Sequence, residues 1–292
     1  MNGSNSLPKA YADPEFINSP DARSLRILAE YLNPLRQFRR EKIKDTIVFF
    51  GSARAVTREE AEKGYRELRQ SLRTGSRSGV NAAALDAARL KVQLARYYEE
   101  AVELARLITE WSLSLDEKLA RFVICSGGGP GIMEAANRGA HLAGGKTIGL
   151  NISLPFEQKP NRFVTETLSF EFHYFFMRKY WFVYLAKALI VFPGGFGTMD
   201  ELMEVLTLIQ TRKINKEMVV LLYGSSFWKQ VVNFKALVRW GTIEKKDLEL
   251  FTFADSPPQA FQIVKQGLEK YYLDPQRVRG QAGEVRSSRS IG

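Results

Sequence analysis

The run Pro193-Gly194-Gly195-Phe196-Gly197-Thr198-Met199-Asp200-Glu201-Leu202 combines residue types that bind and act on phosphorylated compounds. Glycines lack a Cβ, so backbone N–H groups can close on an anion, and a helix that starts just after them aims its positive end at the same point. Thr198 is expected at or just before that helix start, where its hydroxyl adds a further donor. Glu201 then stands one turn into the helix, with its carboxylate beside the bound group. The bland alternative is a capping box, in which Thr198 and Glu201 satisfy helix-end donors and nothing else. Upstream, Arg178 and Lys179 interrupt the aromatic run Phe172 to Tyr184. Cations in such a stripe either sit solvated on the helix surface or hold an anionic substrate and the carboxylate that acts on it.

Two more glycine turns follow apolar runs: Gly51-Ser52 after Phe50, and Gly127-Gly128-Gly129-Pro130-Gly131 after Ser126. Three such turns at one sheet edge point to a phosphate pocket. The first turn reads Gly51-Ser52-Ala53-Arg54-Ala55-Val56 rather than G-x-G-x-x-G, which disfavours NAD or FAD. Gly144-Gly145-Lys146-Thr147 approaches a P-loop, but Ala140 occupies the place of its first glycine and the lysine leads into a strand, so a nucleotide triphosphatase is rejected. The two histidines, His141 and His173, lack metal-pair spacing; His173 remains a weak candidate for the pocket. No metal or redox cofactor is implied.

The elements that must position these residues alternate. Apolar runs expected to be strands are Ile47 to Phe50, Arg121 to Cys125, Thr147 to Ile152, Phe163 to Phe170, Ala188 to Phe192, Met218 to Tyr223 and Phe251 to Phe253. Helical stretches separate them, notably Tyr174 to Ala186, Met199 to Thr211 and Phe227 to Trp240. Such a rhythm predicts an α/β fold: a doubly wound, mainly parallel sheet with helices on both faces and ligands beyond the strand carboxyl ends. Residues 1–20 read as disordered, and 21–44 as a helical appendage with Leu25, Leu28, Tyr31 and Leu35 along its packed side and a kink at Pro34. Residues 45–273 form the nucleotide-binding catalytic domain, with a helical insertion at about 66–90 and a Gly/Ser-rich loop from Thr74 to Gly79; residues 274–292 read as a flexible basic tail.

The formal net charge is +10, but much of the excess lies between Arg23 and Lys44 and in the tail, and no zinc finger, RRM or KH signature accompanies it. Nucleic acid is thus not the expected partner, and an anionic small substrate accounts for the charge equally well. Cys125 is the only cysteine and lies in an apolar run, which fits a reducing, cytoplasmic setting. Neither a secretory signal nor a membrane span is expected.

Pro193 to Glu201 resembles the PGGxGTxxE motif of the Lonely Guy (LOG) family, the cytokinin-activating phosphoribohydrolases, and Met177-Arg178-Lys179 resembles the arginine motif that precedes it. The resemblance takes in Phe50-Gly51-Ser52 and Gly127 to Met133, and covers about Asp45 to Leu248. It implies a Rossmann-like fold, a homodimer, and hydrolysis of a nucleoside 5′-monophosphate, such as a cytokinin riboside monophosphate or AMP, to free base and ribose 5-phosphate. Carried over residue by residue, Arg178 and Glu201 are the catalytic pair. Gly51, Ser52, Gly128, Gly129, Met133, Gly194, Gly195, Gly197 and Thr198 hold the nucleotide and its phosphate, with Lys179 and His173 in support. The N-terminal helix and the insertion exceed the compact plant pattern and resemble longer bacterial relatives. The family has also been labelled lysine decarboxylase, but no lysine with a pyridoxal phosphate partner set is visible. A non-catalytic nucleotide carrier or sensor is the alternative function.

Overall fold

The computed structural model describes residues 9–74, 82–115, 121–154 and 160–274. Seven strands form one sheet: β1 (Thr46–Phe50), β2 (Val123–Ser126), β3 (Thr147–Ile152), β4 (Ser169–Phe172), β5 (Ala186–Val191), β6 (Val219–Tyr223) and β7 (Thr252–Ala254). Their order is β4-β3-β2-β1-β5-β6-β7, and every pairing is parallel. The chain winds outward from β1 to β4, returns beside β1 with β5, and winds outward again. This is the doubly wound, Rossmann-like sheet expected.

Helices cover both faces, so the strands are apolar on both sides. In β1, Val48 and Phe50 enter one core with Leu189 and Val191 of β5, while Ile47 and Phe49 enter the other with Ala188 and Ile190. The first core is closed by α2 (Arg23–Arg40), α6 (Phe175–Tyr184), α7 (Phe196–Gln210) and α8 (Ser225–Val231). The second is closed by α4 (Ala82–Leu113), α5 (Ile132–Leu142) and α10 (Pro257–Leu268). The remaining helices are α1 (Pro14–Asn18), α3 (Arg58–Thr74) and α9 (Phe234–Arg239).

Several boundaries differ from those read in the sequence. Disorder was expected over residues 1–20, yet Ala10–Ala12 and Pro14–Asn18 are short helices: Asp13 caps the second, and Arg26 Nη1 ties it down by donating to the carbonyls of Ile17 and Ser19. α2 runs unbroken through Pro34, which is buried. Its inner side is Ile27, Tyr31, Leu35 and Phe38, whereas Leu25 and Leu28 face outward, because the helix carries two apolar stripes and only one can meet the sheet. β4 begins at Ser169, not Phe163: ahead of it the chain hydrogen-bonds only the first residue of β3, with Thr147 N donating to Thr165 Oγ1, Thr147 Oγ1 to the Phe163 carbonyl and Thr165 N to the Thr147 carbonyl, which is no strand ladder. Asn233 splits the expected Phe227-to-Trp240 helix by capping a new one at Ala236 N. The Gly/Ser loop from residue 75 and the tail beyond Asp274 lie outside the described residues, as do residues 1–8.

Candidate active site

The three glycine turns meet because the strands that launch them, β2, β1 and β5, are neighbours. The winding reverses between β1 and β5, where an open α/β sheet leaves a crevice beyond its carboxyl edge. Here that crevice is a cavity of about 830 Å³. Gly51, Ser52 and Arg54 line it after β1, Gly127 and Met133 after β2, Asn151 on β3, Phe175 and Arg178 from α6, and Pro193 through Glu201 after β5. Leu94 of α4 and Phe227 and Val231 of α8 give it an apolar side.

α7 starts at Phe196, with Gly195 in the cap position and no side-chain cap. Thr198 is therefore inside the first turn rather than ahead of it, and the capping-box explanation of Thr198 and Glu201 fails. The amides of Thr198 and Met199 donate to the Gly195 carbonyl at 3.1 and 3.0 Å. Those of Phe196 and Gly197 have no acceptor within a helix that begins there. A Cβ built on Gly195 or Gly197 meets nothing within 4 Å, so the backbone at this helix end faces open space. Gly194 differs: a Cβ there overlaps the Thr198 side chain.

Glu201 is buried at 6% exposure, and the loss of water pushes its carboxyl up to about 7, against the pull of Lys179 and Arg178. Lys179 Nζ lies 3.5 Å from Glu201, 2.7 Å from Asp200 and 2.6 Å from Glu204. Burial alone would lower its pKa, but the hydrogen bonds it donates to Asp200 and Glu204, with the charge of Glu201, carry it above the ordinary lysine value. Burial lowers the pKa of Arg178, opposed by Glu201; its Nε donates to the Leu150 carbonyl at 2.7 Å and its guanidinium lies 5.0 Å from the Phe182 ring centre. A buried carboxylate, poised near neutrality and flanked by two cations, thus faces the cavity beside an open helix N-terminus.

Most of the expected residues converge. Gly51, Ser52, Met133, Gly194, Gly195, Gly197, Thr198, Arg178 and Glu201 all line the cavity, with Lys179 beside Glu201. Ser52 contributes only its hydroxyl, because its amide donates to the Pro193 carbonyl at 2.9 Å. Gly128 and Gly129 do not reach the cavity: both are buried, and their carbonyls accept from Asn161 Nδ2. His173 is exposed and packs edge-on against Tyr174, outside the cavity. Asn151, Arg54, Leu94, Phe227 and Val231 were not singled out. Arg54 could have been, as a cation just past the first glycine turn; the apolar ones read in sequence as ordinary core.

The family described as "Possible lysine decarboxylase" matches residues 133–264. The chain is 25% identical over 178 residues to the cytokinin riboside 5′-monophosphate phosphoribohydrolase LOG2 of Arabidopsis thaliana, an alignment covering 60% of this chain and 78% of that protein. With LOG7 of the same plant it shares 28% over 181 residues, covering 60% and 75%. With the probable phosphoribohydrolase LOGL5 of Oryza sativa subsp. japonica it shares 30% over 145 residues, covering 48% and 53%. Together these matches support membership of the Lonely Guy family.

Among solved structures, the molybdenum cofactor carrier protein of Chlamydomonas reinhardtii aligns with 77% of this chain and 98% of its own at 18% identity and a TM-score of 0.46. The molybdenum cofactor binding protein of Rippkaea orientalis aligns with 76% and 96% at 17% and 0.47. The decarboxylase description of the Lonely Guy family implies pyridoxal phosphate, which such enzymes hold as an imine of a lysine. Among the described residues no lysine lines the glycine-turn cavity, and Lys179 is kept protonated by its carboxylates. Lys216, pulled down to about 7 by burial, borders a separate cavity along α6 that no glycine turn enters, and it donates to the carbonyls ending that helix. The residues do not fit that cofactor. Among the described residues no helix is long and apolar enough to cross a membrane.

Proposed function

We propose that the protein hydrolyses the N-glycosidic bond of a nucleoside 5′-monophosphate, releasing a free base and ribose 5-phosphate. The observation that carries this reading is Glu201, a buried carboxylate that faces the cavity one turn inside a helix with open leading amides. The phosphate takes the amides around Gly195 to Gly197, which leaves the ribose against Glu201. As the C1′–N bond breaks toward the base, positive charge develops on the sugar. Ionised Glu201 stabilises that charge and orients the water, whose oxygen ends on C1′ and whose proton ends on the departing base. Arg178 supports the base and the carboxylate, and Leu94, Phe227 and Val231 give the base an apolar wall. The activity named for the plant relatives supports the same reaction class. The lone cysteine, buried in β2, suits a reducing compartment such as the cytoplasm.

The test is base release from AMP, GMP, CMP, UMP and N6-modified adenosine monophosphates, with adenosine beside AMP at saturating concentrations. Remote phosphate binding should raise the rate as well as the affinity, so AMP should turn over faster than adenosine by about tenfold or more. Binding without release from any nucleotide would replace the enzyme with a carrier. The reading extends to a homodimer through α6, whose Phe176, Tyr180 and Tyr184 are exposed. Light scattering should give twice the chain mass; a fully active monomer would remove this part.

A further inference from the structure

We propose that Glu30, on the N-terminal helix α2, is a positioning residue for the active site, its carboxylate fixing the start of α6 and so the helix that carries Arg178 and Lys179 to Glu201. The inference rests on the hydrolase reading of Glu201 and gives the N-terminal segment a part in it.

α6 has no cap of its own, since the residue ahead of it, Tyr174, offers no side-chain acceptor to the helix amides. Glu30 supplies one from a distant part of the chain. Its Oε1 accepts from the His173 amide at 2.8 Å and its Oε2 from the Tyr174 amide at 3.3 Å. A negative charge there also complements the positive end of the helix. The backbone carbonyl of Glu30 accepts from Trp181 Nε1 at 3.0 Å, and the neighbouring Tyr31 ring stacks on Trp181 at 5.7 Å. α2 therefore grips α6 at both its start and its middle.

Arg178 lies one turn from the gripped end, its amide donating to the Tyr174 carbonyl at 3.2 Å. A shift at Tyr174 is passed on through that turn. Four charged groups act on Glu201, namely Lys179, Arg178, Glu204 and Asp200, and the two cations both belong to α6. Loosening the start of α6 withdraws the groups that favour the ionised carboxylate and leaves the two acidic ones of α7. Glu201 then holds its proton to higher pH, and less of it is ionised near neutrality.

The experiment compares full-length wild type with Glu30→Ala and Glu30→Gln. Hydrogen exchange over residues 173–178, read by mass spectrometry, should quicken about tenfold in Glu30→Ala, the scale of a lost helix-end acceptor. kcat should fall about tenfold with KM nearly unchanged, as expected when a catalytic group drifts from its place. The acid limb of the kcat profile should move to higher pH. Glu30→Gln keeps an acceptor oxygen and should recover part of both effects; it also carries the test if Glu30→Ala fails to fold. Unchanged exchange over 173–178 would overturn the proposal. So would a rate loss that tracks thermal stability while the pH profile keeps its place, the mark of simple packing. If the wild type releases no base from any nucleotide, the hydrolase reading falls by itself, and the exchange over residues 173–178 still decides whether Glu30 fixes the start of α6: faster exchange in Glu30→Ala sustains it, equal exchange ends it.

Discussion

The turns after β2 and β5 look alike as sequence, each a cluster of glycines between an apolar strand and a helix, yet they are built for opposite ends. In the first, glycine is demanded by the fold. Gly128 and Gly131 have φ of 71° and 73°, and a Cβ on either would overlap Asn151 or the Ser52 backbone. In the second, Gly195 and Gly197 have no neighbour within 4 Å where a Cβ would point, and neither has positive φ. Glycine there leaves room that the protein does not fill. One turn is closed on itself as packing, and the other stands open as a seat for an anion.

The contrast can be broken by taking residues from each side. The largest effect belongs to Glu201→Gln, which keeps size and removes charge: turnover should drop at least about a thousandfold with folding intact. The same variant tests the carboxyl's environment. Its pKa is raised in the fold, from 4.5 to about 7, so the unfolded chain gives up this proton first and the wild type loses stability as pH rises through that window. Glu201→Gln should then be more stable than wild type by about 3 kcal/mol at pH 8 and should lose that advantage below pH 4.5. Equal denaturation curves at pH 8 would show that water in the cavity already solvates the carboxylate.

Gly128→Ala should act on the fold, costing about 3 kcal/mol from left-handed strain and overlap with Asn151. A urea midpoint near that of wild type would place this turn in the open class. Gly197→Ala is the smallest change in stability, neutral or stabilising by about 0.5 kcal/mol in a first helical turn. Its signature should be weaker AMP binding by calorimetry, about tenfold, because a methyl group enters the anion seat. If stability drops and binding holds, the two turns do not differ as described.

The sheet was legible in the sequence because strands buried on both faces print as continuous apolar runs, and right-handed crossovers leave few ways to order them. That is how the turns after Phe50, Ser126 and Phe192 could be placed at one edge. Glycine, however, is silent about what a Cβ would meet. Gly128 and Gly129 were therefore read with Gly195 and Gly197, although Asn161 holds them behind the wall. Thr198 was set at the helix boundary because Phe196 and Gly197 carry no start signal of their own. The packed side of α2 was misread for a simpler reason: Leu25 and Leu28 are as apolar as Ile27 and Tyr31, and only the sheet decides between the stripes.

The Asn161 clamp also bears on the order in which the molecule assembles. Its amide group donates to the carbonyls of Gly128 and Gly129 and to Asn137 Oδ1, reaching back 33, 32 and 24 positions along the chain. Asn137 in turn takes the Ser126 hydroxyl and donates to the Ile148 carbonyl of β3. A glycine turn between a strand and the next helix is ordinarily a local event, but this one closes a loop of some thirty residues and bears that closure entropy. Its carbonyls remain in water until β3 has docked and the chain has come back as far as Asn161. The turn behind the cavity wall is thus completed only by the chain as far as Asn161, and the first two strands and α5 cannot satisfy it alone.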